Sequence, residues 1–409
     1  MAKAGLNTDI VVVGGGLSGL TAALALGIGG RRIALVAPST AGPDRRTTAL
    51  LNSSLEYLDR LGIGAAIRRE GAPLATMRIV DDTGNLFRAP QVNFHASEIG
   101  LEAFGYNIAN ETLAGILRSA VEQADVEFTD SALQAIDEEP GSVKAGLANG
   151  KTLTAGLVVG ADGRNSTVRK LANIATRDWR YPQTAIALNI GHQFPHDDAS
   201  TEFHTDTGPF TVVPLGPKTA SLVWVEAKAR AEEIASMERQ VLETTIERRM
   251  HSMLGRIEAI SPAQFFPLAG MVAKRFGRGR IVVLGDAAHV LPPIGAQGFN
   301  LGIRDVQALD ELVRSAEATD LGKIADMYHV RRLADVAART TAIDILNRSL
   351  LADFLPVQLA RAIGFEALRS VAPLRRFAMR EGIAPTLGAE RISRRIQDLI
   401  GSVVAKSGV

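Results

Sequence analysis

The chain has 409 residues, more than one hydrophobic core usually organises, so two closely packed domains are expected. Hydrophobic residues make up 46% and charged residues 22%, the balance of a folded globular protein, and 45 Lys plus Arg against 44 Asp plus Glu give no global pull toward nucleic acid. With no cysteine, disulfides, thiolate zinc sites, iron–sulfur clusters and a cysteine nucleophile are all excluded, which fits a reducing compartment.

The first element looks like a membrane segment and is read otherwise. Ile10 to Gly30 carries no charge, yet seven of its 21 residues are glycine, three of them consecutive at Gly14, Gly15 and Gly16. Consecutive glycines suit a tight turn better than a lipid-embedded helix. The pattern predicts a buried strand over Asp9–Val13, a helix over Leu17–Leu26 and a second strand over Arg32–Val36. Residues 47–70 then read as helix, with Leu50, Leu51, Leu55, Leu58 and Leu61 near a helical period. Residues 74–98 read as a hairpin turning at Asp81–Asn85, residues 110–124 as helix, and 126–160 as short strands with turns at Glu139-Pro140-Gly141 and Asn149-Gly150.

From 180 to 226 the alternation is that of β structure, and Ala231–Leu254 reads as one amphipathic helix. A buried strand follows at Arg280–Leu284, and the chain beyond Gly298 is mostly helical. The fold class expected is α/β: a Rossmann-like domain (1–73, 99–176 and 270–330) interrupted by a mostly β substrate domain (74–98 and 177–269), with a C-terminal helical region (331–409). No stretch is long and apolar enough for a bilayer span, so a cytoplasmic chain is expected.

Three segments carry the chemistry. The first, Gly14-x-Gly16-x-x-Gly19, lies between a strand and a helix; Gly14 permits the turn, Gly16 lets backbone approach a pyrophosphate, and Gly19 lets helix and strand pack. The helix start, at Leu17 and Ser18, then offers free N–H groups to phosphate. The acidic residue that usually ends the second strand and binds a ribose hydroxyl is missing: that position is Ala37, with Ser39 and Thr40 as neutral substitutes. The second segment runs an apolar strand into Asp162-Gly163, with a helix start at Ser166 and Arg169 inside the helix. The third runs a buried strand into Gly285-Asp286, where a carboxylate can accept bonds from a polyol; Pro293, Gly295 and Gln297 follow in a loop leading into a helix near Gly298. The N–H groups of that helix start can stabilise an electron-rich ring edge.

All three segments, in this order and at these intervals, resemble the single-component (class A) FAD-dependent aromatic hydroxylases over nearly the whole chain. The resemblance implies that Gly14, Gly16, Leu17, Ser18 and Gly19 bind the ADP half. It gives Asp162 and Gly163 the pyrophosphate and NAD(P)H role, and Gly285 and Asp286 the ribitol. The chain is most similar to the ubiquinone-biosynthesis hydroxylases, through Asp44-x-Arg46-x-x-Ala49-Leu50, Gly105-Tyr106-x-x-x-Asn110, Tyr181-x-Gln183, Gly208-Pro209-Phe210, Pro214-Leu215, Val223-Trp224 and the stretch Gln297–Asp305. It implies that Arg46 and Asn110 touch the flavin, that Gly298, Phe299 and Asn300 help bind it, and that Pro293, Gly295 and Gln297 lie near its ring. Two departures are Ala37 and the order Gly295-Ala296, reversed from the usual Ala-Gly.

The implied reaction is hydroxylation of an electron-rich, polyprenylated phenol by NAD(P)H and O2 through a flavin C4a-hydroperoxide. The chemistry then resides on the flavin, and no residue is named as catalytic. Substrate contacts are expected from 180–226 and 76–98, facing Pro293. Other readings stay open: a hydroxylase of a small soluble aromatic, a flavin-dependent amine oxidase or reductase, and a non-enzymatic flavin-binding assembly subunit. His192-x-x-x-His196 reads as a solvated loop, with Pro195 against an aligning helix and no metal site, and His289 as an orienting or packing residue. The basic tail, with eight arginines and three glutamates between Arg361 and Arg395, is either a solvated helical surface or a peripheral contact with the inner face of the membrane or with ubiquinone-biosynthesis partners.

Overall fold

A computed structural model describes residues 7–39, 44–84, 88–292, 297–316, 321–350 and 364–383, with side chains throughout except at 297, 341–350 and 381–383. Four short apolar strands, Ile10–Val13, Ile33–Val36, Leu157–Gly160 and Ile281–Val283, are buried along their whole length, as a parallel sheet covered on both faces requires. They form the centre of a six-stranded sheet in the order 277–278, 281–283, 157–160, 10–13, 33–36, 127–129, in which only the first pairing is antiparallel. The helix Leu17–Ile28 packs on the helices Asn110–Gln123 and Gln297–Ser315, and all three contribute to the core around this sheet.

A nine-stranded sheet forms the second body. Its order is His289–Val290, Gln264–Ala273, Thr176–His192, Thr219–Ala227, Pro209–Gly216, Ala199–His204, Thr76–Asp81, Val92–His95, with Ile257–Ala259 also pairing on Thr176–His192. Trp224, Phe210 and Ile186 fill its buried side with Ile234 and Ile246 of the helices Lys228–Ala235 and Arg239–Arg249. The β-rich stretches on either side of residue 100 thus join one sheet. The α/β architecture with an interrupting β unit and C-terminal helices (Ile324–Leu350, 364–370, Ala372–Ile383) is the one expected.

Two expected helices differ. Residues 47–51 are a strand, not a helix: Thr47–Leu51 pairs antiparallel with Gly105–Ala109, whose Gly105 lies so close that a Cβ there would stand 2.0 Å from the Leu50 carbonyl oxygen. Pairing with a distant strand overrides the leucine periodicity, and helix begins only at Asn52, breaking again at Gly62 (φ +81°) between Asn52–Arg60 and Gly64–Glu70. The helix expected over 231–254 is two helices separated at Ser236–Glu238.

Candidate functional site

Strands 10–13, 157–160 and 281–283 lie side by side in aligned register, Val13 opposite Gly160 and Gly160 opposite Val283. Their C-terminal ends therefore deliver Gly14, Asp162 and Asp286 to one edge of the sheet, the edge where open α/β folds bind ligands. Gly14 has φ +122°, and a Cβ there would stand 2.3 Å from the Ala161 oxygen; a Cβ on Gly19 would stand 1.8 Å from the Gly14 oxygen. Both glycines are required by contact. Gly16 differs, since a Cβ there would meet nothing within 4 Å, and as the first cap of helix 17–28 it supplies no side-chain bond. Open backbone at an uncapped helix start is a cradle for an anion. Ser18 packs on the third segment: a Cβ on Gly285 would stand 2.5 Å, and on Gly302 3.0 Å, from its Oγ.

A polar network approaches from strand 47–51. Arg46 donates to both Asp44 oxygens (2.8 Å each), Asn110 Nδ2 donates to Asp44 Oδ2 (2.9 Å), and Thr48 Oγ1 donates to Asn110 Oδ1 (2.6 Å). Burial opposes the Asp44 charge, but the bonds from Arg46 and Asn110 outweigh it and hold the carboxyl below its ordinary range. The Arg46 guanidinium lies 5.8 Å from the centre of the Phe266 ring. Asp286 reaches solvent on one side while protein crowds its other sides. That crowding pushes its carboxyl above the ordinary value against the pull of His289, Arg46 and Arg164. The same fields link Arg46 and Asp286 across 240 residues of sequence.

Other expected site residues make contacts within the fold. Asp162 accepts from Ser166 Oγ (2.5 Å), Thr167 N (2.6 Å) and Val168 N (3.0 Å), so its carboxylate caps the helix Thr167–Leu171. Gly163, at φ +80°, faces open space beside it. Asn300 accepts from Leu51 N (3.0 Å) and donates to the Ala49 oxygen (2.8 Å), bracing strand 47–51 on helix 297–315. Phe299 packs against the main core, and Gly298 has nothing within 4 Å of where a Cβ would be. Pro293 and Gly295 lie outside the described residues, as does the Gln297 side chain. His192 Nδ1 and His196 Nε2 each hydrogen-bond a backbone carbonyl, of Phe194 and of Gly216 (2.7 Å each).

Three buried charged groups, of which only Arg332 lies outside the motifs, hold the site in place. Arg169 is buried and donates to the Ala287 and Arg164 oxygens (2.8 Å each), joining the second segment to the third. Asp305 is fully buried and accepts from Gly285 N (2.9 Å) and Arg332 Nε (2.7 Å), with His289 Nε2 at 2.6 Å. Arg332 also binds Asp335 (2.6 Å), so helix 324–350 is anchored behind the Gly285 turn. The spacing of Arg332, Asp335 and Arg339 at three and four residues is the one sequence signal for this network. Phe266 was missed because its strand carries no motif.

An open glycine cradle at a helix start, a carboxylate two strands over at the same sheet edge and an arginine whose field reaches it suit a dinucleotide of phosphates, polyol and electron-rich ring. Fold and site together define a flavoprotein of the Rossmann-like class. The chain belongs to the FAD binding domain family, whose model matches residues 7–342. It is 31% identical to "Ubiquinone hydroxylase UbiL" of Rhodospirillum rubrum, over 92% of this chain and 89% of that protein. It is 29% identical to "3-demethoxyubiquinol 3-hydroxylase" of Escherichia coli, over 91% and 97%. Among solved structures it superposes on p-nitrophenol 4-monooxygenase PnpA from Pseudomonas putida with a TM-score of 0.75 at 20% identity, covering 92% and 98% of the two chains, a likeness of fold.

Proposed function

We propose that this FAD-binding chain is an aromatic hydroxylase of ubiquinone biosynthesis, acting on an electron-rich phenol that carries a prenyl tail, with NAD(P)H as reductant and O2 as oxidant. The end-to-end likeness to the Rhodospirillum rubrum ubiquinone hydroxylase carries this reading. FAD supplies the redox and oxygen-activating chemistry that side chains lack. The chain's own residues bind and orient. The open N–H groups at Gly16–Ser18 receive the pyrophosphate, and Asp286 accepts bonds from the ribitol. Arg46, fixed by Asp44 beside Phe266 of the β sheet, would lie toward the ring end of the cofactor.

The large sheet would form the substrate wall. Thr47 bonds Ser221 (2.9 Å) and Asn107 bonds the Pro214 oxygen (2.8 Å), which brings strands 209–216 and 219–227 against the Arg46 end of the cleft. Phe266, more than a third exposed beside Arg46, offers an apolar face for an aromatic ring. Among the described residues no helix is long and apolar enough to cross a membrane, so a lipid-borne substrate has to be met at a surface or delivered.

The purified protein should be yellow, with flavin released by denaturation, and should oxidise NADPH or NADH quickly only when a prenylated phenol is present. A strain lacking the gene should accumulate a quinone precursor short of one ring hydroxyl, which the protein then converts. A colourless protein that takes up no FAD would overturn the flavin reading. Holo protein inert toward every phenol, in a strain that accumulates no such precursor, would overturn the hydroxylase reading.

A further inference from the structure

The nucleotide fingerprint lacks its ribose-binding acid, and the fold supplies one from the next strand. Ala37 follows strand 33–36 where the acid is expected, and it is a 4% exposed methyl facing Gly15, on which a Cβ would stand 2.9 Å away. The neighbouring parallel strand, Glu127–Thr129, is in register with it: Val36 lies opposite Thr129, and Ala37 N donates to the Thr129 oxygen (3.2 Å). Asp130 is therefore the residue beside Ala37, one strand over, a shift of about 4.8 Å. The loop leaving strand 33–36 reaches across to it. Ser39 N donates to Asp130 Oδ1 (2.9 Å) and Ser39 Oγ to Oδ2 (2.6 Å).

We propose that Asp130, held by Ser39, replaces the missing acid and binds the adenosine ribose hydroxyls of FAD. The chemistry is that of the absent residue: a carboxylate at the C-terminal edge of the sheet, one strand beyond Ala37 and two strands from the strand that leads into the glycine turn. Both side chains are exposed, so the pair is open to a ligand. Ser39 occupies one acceptor position on each oxygen, and a carboxylate has about four. The remaining lone pairs suit a vicinal diol. Ser39 fixes the carboxylate's orientation as packing would fix a buried glutamate. A hydroxyl and a carboxylate on adjacent loops thus share a task that one side chain usually performs.

The inference rests on FAD being the cofactor, and the test separates the two. Apoprotein is titrated with FAD and with an FAD analogue carrying 2′-deoxyadenosine. Wild type should bind FAD, and the analogue about tenfold more weakly, the loss of one charge-assisted hydrogen bond. In Asp130→Ala the FAD affinity should fall about tenfold and the two ligands should bind alike. Asp130→Asn, which keeps the side-chain shape, should behave the same way with an unchanged apoprotein melting temperature. Ser39→Ala should weaken FAD by a smaller factor and keep part of the deoxy penalty. A wild type that binds no FAD removes the flavin reading itself. Full FAD affinity in both Asp130 variants, or a deoxy penalty as large in them as in wild type, overturns the assignment.

Discussion

Asp286 shows how one carboxylate can report on the cofactor. In the chain alone, crowding raises its pKa, whereas hydroxyl donors on a polyol favour its charged form. FAD binding should therefore draw the pKa down, so affinity should rise with pH through the range above about 4, the ordinary carboxylate value, and fall as acid protonates the group. Asp286→Asn should flatten that pH dependence. Asp286→Ala should weaken FAD by about 1.5–3 kcal/mol, tenfold or more. If Asp286 only shaped its turn, the alanine variant would lose equal melting temperature with and without FAD. Titration and melting of both forms decide. At this scale the sequence was legible where a residue type has one use: Gly14 and Gly19, whose absent side chains the contacts demand. It was least legible where a polar side chain has two. Asp162 and Asn300 carry groups that could serve a cofactor, and the same groups also bond within the fold: Asp162 to the Ser166 hydroxyl and to backbone N–H groups, Asn300 to backbone of strand 47–51.

Among the elements, the helix Ile324–Leu350 does more than cover the core. Arg332 is buried and holds two carboxylates, of which Asp305 also orients the Gly285 turn and His289. Burial disfavours the Asp305 charge, but His289 and Arg332 outweigh it and keep its pKa low. Removing Arg332 would take from buried Asp305 one of the two groups that hold its charge, so Arg332→Ala should cost about 3–5 kcal/mol in denaturant unfolding. Because Asp305 titrates lower in the folded chain than unfolded, its contribution is complete above about pH 4 and disappears as pH falls further. Arg332→Ala should lose part of that acid dependence; a variant with wild-type stability and wild-type acid unfolding would show the network to be inert. The motifs contained Gly285, His289 and Asp305 but did not show that they meet, because their partner Arg332 comes from an element tens of residues further on. The strand at 47–51 escaped for the same reason. Its leucines satisfy a helical period, and only its pairing with Gly105–Ala109 makes it β structure.

For the whole molecule, the order of nucleotide-binding, β and helical segments was legible because hydrophobic period and glycine position record it, and the tail was not. A prenylated phenol partitions into the bilayer, so the surface that meets lipid matters to the proposed function. The expected basic, apolar tail included Leu351, Phe354, Leu355, Leu359, Arg361 and Ile363, which lie outside the described residues. Arg375, one of the eight tail arginines, is taken up in a contact within the fold. Arg375 donates twice to Glu98 (2.6 and 2.9 Å), while Met379 packs with Ala96 and Phe104, docking the helix Ala372–Ile383 on the 96–99 turn. Away from this contact the helix carries Leu374 and Phe377, each more than 40% exposed, beside exposed Arg376 and Arg380. Each arginine near anionic lipid gains about 1 kcal/mol, screened by salt. Weak binding to anionic liposomes is therefore expected at low salt and its loss at high salt, read by co-sedimentation. Arg376→Glu with Arg380→Glu, or Phe377→Ser, should reduce it without changing the melting temperature. Arg375→Glu should instead lower the melting temperature by setting two carboxylates against each other. If the chain does not sediment with liposomes at low salt, or the Arg376 and Arg380 reversal leaves sedimentation unchanged, the exposed stripe is not a lipid surface and another protein has to deliver the substrate.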